Sequence, residues 1–214
     1  MDDRVRHAYG LLAGLPRCNA ATLRSALPVD GVYFFFEKGE QIEVAGAIMD
    51  RVVRVGTHRV DGRFPARIRQ HYGNQGSLGG NKNGSVFRKH LGGALLRRDD
   101  PGDSRLAQWI AQGGESYSEV EEAVSKELRG NFTFVWVQVP TRDARLALES
   151  GLIALLAQYP AGYPSPTWLG RFAYDPAISD SGLWNTQHLM SPVLTDDQLA
   201  ELETLAITTM RRWS

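Results

Sequence analysis

Three segments of this sequence have the composition of β-strands, and their uneven spacing constrains the fold more than any other feature. Segments 32–36 and 51–56 lie close together, whereas segment 131–139 follows a long stretch that favours helices. Two early strands joined as a hairpin and one late strand predict a small α+β domain, not a parallel array of alternating strands and helices. We expect a three-stranded sheet, antiparallel or mixed, flanked by helices.

Apolar periodicity, prolines and capping residues predict the helices around this sheet. They cover residues 3–15, 20–26, 65–72, 85–98, 106–112, 118–128, 141–158 and 195–211. Lys38, Gly39 and Glu40 are expected to form the hairpin loop between the first two strands. The glycine-rich segment 73–84 is expected to be either a flexible loop or an ordered nest of backbone amides.

These elements predict one compact domain in three parts. Residues 1–30 form a helical N-terminal addition. Residues 31–159 form the core, with a helical insertion at about 73–130. Residues 160–214 form a C-terminal loop and helix that pack on the core.

Basic residues are concentrated in one part of the chain. The formal net charge is zero, but residues 51–98 contain eleven Lys or Arg and a single acidic residue, Asp61. This density is expected of a surface that contacts the phosphate backbone of a nucleic acid. The alternative is an arginine-rich helix face that is simply solvated.

Other features argue against several classes of protein. Cys18 is the single cysteine, so an intramolecular disulfide and a thiolate metal cluster are excluded. Segment 73–84 lacks the Gly-Lys-Ser/Thr ending of a nucleotide-binding P-loop. No apolar run approaches the roughly 18 residues of a membrane span, and the first residues lack the pattern of a signal peptide. We therefore expect a cytoplasmic protein.

The motifs Gly31-Val32-Tyr33 and Arg54-Val55-Gly56, followed by Arg67, resemble the GIY-YIG nuclease family. The family pattern is a Gly-x-Tyr strand, a Tyr-x-Gly strand and an arginine on the next helix. His71 follows Arg67 by four residues, so both lie on one face of that helix. The resemblance covers about residues 31–158 and implies a nuclease that hydrolyses phosphodiester bonds.

A later segment, 148–153, resembles the family's helix that bears one essential glutamate, here Glu149. The resemblance implies that Glu149 binds a divalent cation, Mg²⁺ or Mn²⁺. A hard cation held by one carboxylate keeps most of its waters and can accept a phosphate oxygen. Asn185 is a candidate for the asparagine that family members often place after this helix.

The resemblance also implies roles for the earlier motif residues. Arg67 would hold the scissile phosphate through its planar guanidinium. Tyr33 would orient or deprotonate the attacking water, and His71 would support it or take its proton. The second tyrosine of the family pattern is replaced by Arg54, which cannot act as a base at neutral pH. His58 is our candidate to fill that place.

Each assignment has a simpler alternative. Tyr33 lies in an aromatic strand and could be a core residue, and Glu149 could be a solvent-facing acid on an otherwise apolar helix. His71 could cap its helix, His58 could be an ordinary loop residue, and Arg67 could be one of several surface arginines. Trp184, beside Asn185, could be a packing anchor.

We therefore predict a metal-dependent DNA endonuclease that acts in restriction, defence, mobile-element biology or repair, as a monomer or a homodimer. The alternative is a catalytically inactive protein of the same fold that binds nucleic acid. The residues expected to contact DNA are Arg54, Arg59, Arg69, Lys82, Arg88 and Lys89.

Overall fold

The structure is a computed structural model that describes residues 2–24 and 27–213. Within these ranges the α-helices are α1 (Asp2–Ala13), α2 (Phe64–Tyr72), α3 (Val86–Asp99), α4 (Leu106–Ile110), α5 (Ser118–Asn131), α6 (Arg142–Ala157), α7 (Pro176–Ser181) and α8 (Asp196–Trp213). Short 3-10 helices lie at Thr22–Arg24 and Leu169–Phe172. None of the described helices is long and apolar enough to cross a bilayer.

The three strands form one antiparallel sheet with the order β2-β1-β3. β1 spans Gly31–Val44, β2 spans Ala47–Gly56 and β3 spans Phe132–Gln138. In the centre of the sheet, Tyr33 lies opposite Gly56 on β2 and opposite Trp136 on β3. The predicted α+β class, with a three-stranded sheet flanked by helices, is confirmed.

The hairpin between β1 and β2 is longer than the sequence predicts. β1 continues through Lys38, Gly39 and Glu40 to Val44, and the chain turns at Ala45 and Gly46. Both turn residues have positive φ, 51° and 80°, as the tight turn that matches the twist of a hairpin requires. The prediction of a hairpin loop at residues 38–40 is therefore wrong. Register shifts after Phe35 and Phe36 absorb this segment within the strand instead.

Both faces of the sheet are buried, which explains the continuous apolar run of β1. Val32 and Phe34 point into one core with α1, α6 and α8. Tyr33 and Phe35 alternate with them and point into a second core with α2, α3 and α5.

Two smaller elements differ from the sequence prediction. α7 was not predicted; it begins at Pro176 after the N-cap Asp175 and ends at Ser181, with Gly182 as its C-cap. The helix predicted at 20–26 is a 3-10 turn at Thr22–Arg24, and residues 25–26 lie outside the described ranges. The capping box that begins α8 is present, since Thr195 and Gln198 exchange hydrogen bonds of 3.0 and 3.2 Å.

Candidate active site

A cleft of about 640 Å³ lies where β2 ends, between α2 and α6. These two helices pack on opposite faces of the sheet, so the cleft joins side chains from both cores. The predicted site residues that line it are Arg54, His58, Arg59, Arg67, Glu149 and Asn185. Residues far apart in sequence thus share one concave site, the arrangement expected of an active site.

Tyr33 and His71 form a hydrogen-bonded pair directly behind this cleft. The Tyr33 hydroxyl lies 2.8 Å from Nε2 of His71, and Nδ1 of His71 lies 2.9 Å from the Ser85 hydroxyl. Tyr33 and His71 have no exposed surface. Burial and the neighbouring Arg67, Arg54 and Arg88 hold the pKa of His71 well below its usual value. The imidazole is therefore neutral at physiological pH.

Gly56 and Arg54 pack around the Tyr33 hydroxyl. A Cβ at Gly56 would overlap the Tyr33 ring and hydroxyl, so the second motif requires glycine where β2 passes the tyrosine. The Arg54 guanidinium interacts with Tyr33, lies over the Phe87 ring and donates a hydrogen bond to the Trp184 carbonyl. Burial lowers the pKa of Arg54. Arg54, which replaces the second tyrosine of the family pattern, thus places a buried cation beside Tyr33, the first tyrosine of the pattern.

Glu149 lies on the half-buried side of α6 that faces the end of β2. One of its carboxylate oxygens accepts a 3.0 Å hydrogen bond from the backbone amide of Thr57. Desolvation raises the pKa of Glu149, partly offset by Arg54, by the Thr57 amide, by His188 and by Arg67. Glu149 is therefore not a solvated surface acid, which was the simpler alternative.

The donor set around Glu149 fits a cation held by one carboxylate. Across residues 2–24 and 27–213, no three acidic, His or Cys side chains cluster in a way that could hold a metal ion. The second carboxylate oxygen of Glu149 has no hydrogen-bond partner within the described part of the chain. A single free carboxylate oxygen on a wet cleft suits an ion that keeps its waters, such as Mg²⁺.

His58 is held on the cleft wall by Asp30. Its Nε2 lies 2.6 Å from the Asp30 carboxylate, which lies 3.6 Å from the buried guanidinium of Arg145. Nδ1 of His58 is buried and has no hydrogen-bond partner within the described residues. Desolvation lowers the pKa of His58, so the ring is neutral at pH 7. With the proton on Nε2, facing Asp30, Nδ1 carries a lone pair.

Asn185 is bound to the edge strand beside the cleft. Its side chain accepts a 3.1 Å hydrogen bond from the Val55 amide and donates a 2.9 Å bond to the Val55 carbonyl. The preceding residue, Trp184, donates its backbone N–H to the Val53 carbonyl at 2.7 Å. The Asn185 amide therefore fixes the end of β2 on the cleft wall.

Arg67 reaches the cleft from α2, which begins at Phe64 with proline in its first turn. Its guanidinium donates hydrogen bonds to the Gln70 side chain at 2.9 Å and the Gly84 carbonyl at 3.0 Å. Arg67 is half-buried and lines the cleft, whereas His71, one turn later, faces the core. Arg67 and His71 were predicted to lie on one face of this helix. That face lines the cleft at Arg67 and is buried in the core at His71.

Three of the predicted DNA contacts, Arg54, Arg88 and Lys82, are corrected by their burial. Arg54 is 7% exposed and donates a hydrogen bond to the Trp184 carbonyl. Arg88 has no exposed surface and forms a buried ion pair with Glu121 at 2.6 Å. Lys82 is 1% exposed, and its ammonium bonds the Gly114 carbonyl at 2.9 Å beside the Trp109 ring. Arg88 and Lys82 thus bind partners inside the protein, so neither can contact a DNA backbone in this conformation.

The other predicted DNA contacts are distributed over different surfaces. Arg59 is exposed at the cleft, Arg69 is exposed on the opposite side of α2, and Lys89 is half-buried near the start of α3. The basic segment 51–98 is therefore not one continuous patch, because several of its cations are used inside the protein.

Three groups in or beside the cleft were not among the predicted site residues. Asp30 orients His58, the Thr57 amide orients Glu149, and His188 lies on the cleft wall near Glu149. A backbone amide leaves no mark in sequence. Asp30 directly precedes the first motif, and His188 follows Asn185 by three residues, so position beside a motif was the one available signal.

A family model described as GIY-YIG domain matches residues 4–211. No curated protein and no solved structure matches the chain at a significant level. The matched region extends past residues 31–158 in both directions, so it includes most of α1 and α8. With the motifs, the sheet and the cleft in agreement with this match, the chain belongs to the GIY-YIG domain family, a family of nuclease domains.

Proposed function

We propose that this protein is a metal-dependent endonuclease that hydrolyses phosphodiester bonds in DNA. The observation that carries the proposal is the cleft itself, where Arg67, Glu149 and His58 meet beside the Tyr33–His71 pair. Phosphodiester hydrolysis needs a group that binds the phosphate, a group that accepts a proton from water and a counter-charge for the leaving oxygen. The cleft offers a candidate for each.

Glu149 would hold the ion through its free carboxylate oxygen, while Thr57 fixes the other. A Mg²⁺ or Mn²⁺ ion bound there would supply positive charge to a phosphate oxygen and to the departing oxygen. Because the carboxylate is the form that binds a cation, the raised pKa of Glu149 makes this step sensitive to acid.

Arg67 and Arg59 would bind the phosphate backbone. Arg67 is already oriented by Gln70 and Gly84, so less side-chain freedom is lost when it binds an oxyanion. Arg59 is exposed at the same cleft and adds charge near its mouth. Asn185 acts as a positioning residue, since its amide is used by Val55.

Two groups are candidates to accept the proton from the attacking water, and both are buried in this conformation. His58 is neutral, with its Nε2–H directed at Asp30, and its buried Nδ1, unpartnered within the described residues, would accept a proton from a cleft water only after the ring turns toward the cleft. The Tyr33 hydroxyl would pass its own proton to Nε2 of His71 as it takes one from water, and the Arg54 guanidinium lies beside that oxygen.

The burial of Tyr33 favours one alternative, a protein of this fold that binds nucleic acid without cutting it. Tyr33 and His71 do not line the cleft, and Arg54 stands where the family places a second phenol. If cleavage requires a tyrosine hydroxyl in contact with water, this arrangement would leave binding intact and remove hydrolysis.

A plasmid-nicking assay with and without Mg²⁺ or Mn²⁺ tests the proposal. We expect cleavage that needs the metal and that Glu149→Ala lowers by at least about a hundredfold, as for loss of a group that stabilises the transition state. Glu122→Ala is the matched control, because Glu122 is a glutamate on α5 paired with Lys126 away from the cleft.

The outcomes separate the two functions. Metal-dependent cleavage that survives Glu149→Ala would contradict the assignment of Glu149. Absence of cleavage on supercoiled, linear and branched DNA, together with salt-sensitive DNA binding, would establish the non-cutting binder instead.

A further inference from the structure

We propose that a second groove, on the opposite side of α2 from the cleft, binds one unstacked nucleotide of the DNA substrate. This inference rests on the proposed function and adds a substrate feature to it. The groove has a volume of about 1000 Å³, which is enough for a nucleotide with its flanking phosphate.

The groove and the cleft adjoin α2 from its two sides. Ala66 and Gln70 of α2 line both. Arg67 faces the cleft, and Arg69, two residues later on the same helix, lines the groove. An α-helix with its side chains is about 10 Å across, so a strand whose phosphate is held by Arg67 can cross α2 and place a neighbouring nucleotide in the groove.

The lining has the two kinds of surface that an unstacked base requires. One side is apolar and is formed by Ala20, Leu23, Leu27 and Pro65. A base that leaves the stack exposes two apolar faces, and such a wall shields them from water. The opposite side comes from the glycine-rich segment 73–84 and carries Asn74, Gln75 and Asn81.

The polar side offers hydrogen-bond donors in a preformed loop. The Asn74 side-chain oxygen accepts hydrogen bonds from the backbone amides of Gly76 and Ser77 at 2.8 and 2.9 Å, and the Asn81 side-chain oxygen accepts one from the Gly84 amide at 3.1 Å. With these oxygens occupied, the side-chain NH₂ groups of Asn74 and Asn81 remain to donate. Base carbonyls and ring nitrogens are acceptors that such groups bind.

The charge of the groove favours a phosphate-bearing ligand. Arg69 and Arg129 line it, and none of its described lining residues is acidic. Arg129 is fixed by a 2.9 Å hydrogen bond to the Gly73 carbonyl, whereas Arg69 is exposed. A cationic, amide-rich groove beside a nuclease cleft fits a nucleotide better than an apolar peptide or a lipid chain.

Binding of two DNA duplexes to the cleavage-deficient variant Glu149→Gln tests this inference. One duplex is fully paired, and the other carries a single-nucleotide bulge with 2-aminopurine as the bulged base. We expect the bulged duplex to bind about tenfold more tightly, because the cost of unstacking the base is already met. Fluorescence anisotropy gives the affinities, and the 2-aminopurine emission reports the environment of the base.

Adding Arg69→Ala and Gln75→Ala should remove the preference for the bulge, whereas adding Arg98→Ala should keep it. Arg98 is the matched control, because it is an exposed arginine at the far end of α3 that pairs with Asp99. All three substitutions are at exposed positions, so thermal unfolding should be unchanged. The ratio of the two affinities removes the general effect of a lost charge.

The outcomes also separate this inference from the proposed function. Equal affinity for the two duplexes, or a preference that survives Arg69→Ala with Gln75→Ala, would overturn the nucleotide groove while leaving plasmid cleavage untouched. Failure to bind either duplex, with no plasmid cleavage by the unmodified chain, would count against the proposed function and the groove together.

Discussion

The two faces of the sheet are equally buried but differ in what they bury. The face that carries Val32 and Phe34 packs on α1, α6 and α8 mainly through aliphatic and aromatic side chains, with Arg145 and Thr209 as buried polar exceptions. The face that carries Tyr33 and Phe35 also encloses charged and polar groups, among them His71, Arg88 and Glu121.

This difference indicates that the first face mainly stabilises the fold, whereas the second face orients the polar side chains near the cleft. Apolar burial is non-directional and tolerant of small shifts, so the first face supplies stability. Buried polar groups need partners with defined geometry, so the second face fixes orientations such as that of the Tyr33–His71 pair. The cleft lies where the two faces meet, at the end of β2.

The strongest test of this contrast is to break the charged interior of the second face. Arg88→Ala leaves the buried Glu121 carboxylate without its ion-pair partner, and we expect a loss of about 3–5 kcal/mol in the free energy of unfolding. Urea denaturation followed by tryptophan fluorescence measures it. Replacing Arg88 and Glu121 together, by Met and Leu, should recover most of that loss. A loss below about 1 kcal/mol for Arg88→Ala would mean that the pair contributes little.

A smaller effect is expected at Glu37, which lies on the second face between two tryptophans. The indole N–H groups of Trp168 and Trp184 donate to one of its oxygens at 2.9 and 3.0 Å, but burial raises its pKa from 4.5 to about 7. Glu37 therefore favours the folded state most below pH 4.5, and this contribution is lost as the pH rises through about 7.

Glu37→Gln removes this titration while keeping an oxygen that accepts both indole N–H groups. At pH 8 we expect the variant to be more stable than the unmodified chain by up to about 3 kcal/mol, with no gain at pH 4. Thermal unfolding across this pH range, with exposed Glu43→Gln as the control, measures the difference. A constant gain at all pH values would show that the effect does not come from ionisation.

The smallest expected effect concerns Glu149, which comes from the apolar face but ends in the cleft. Its pKa is raised mainly by burial, so cleavage should fall on acidification at a higher pH than an unperturbed glutamate would give. Below that point the rate should drop about tenfold per pH unit at fixed, subsaturating metal. A pH profile of plasmid nicking measures it, and raising the metal concentration should move the midpoint to lower pH. A midpoint pH that does not change with metal concentration would mean that a group other than Glu149 titrates.

The fold was predictable largely because periodicity and motif order are local. The positions of β1, β2, β3, α2 and α6 follow from short windows of sequence. The end of the hairpin could not be predicted in this way. Residues 38–40 resemble a turn, but strand pairing across residues 41–50 overrides that local preference.

The sequence predicted which residues belong to the candidate site, but not which of their side chains are exposed to the cleft. The motifs indicate Tyr33, Arg67 and Glu149, but sequence does not show that Tyr33 and His71 lie behind the cleft wall. It also does not show that Arg88 is used by Glu121, 33 positions later. The basic residues of segment 51–98 could therefore be counted from the sequence, but which of them are exposed could not be predicted. Burial of a charged side chain depends on a partner that is distant in sequence.

The pairing of residues 184–185 with β2 has a consequence for solubility. β2 is an outer strand, and its free hydrogen-bonding groups at Val53 and Val55 are taken up by Trp184 and Asn185. An uncovered outer strand is a template on which a strand of another molecule can add. The segment that holds the cleft wall in place thus also protects the outer strand from pairing with another molecule, which lowers the tendency to aggregate.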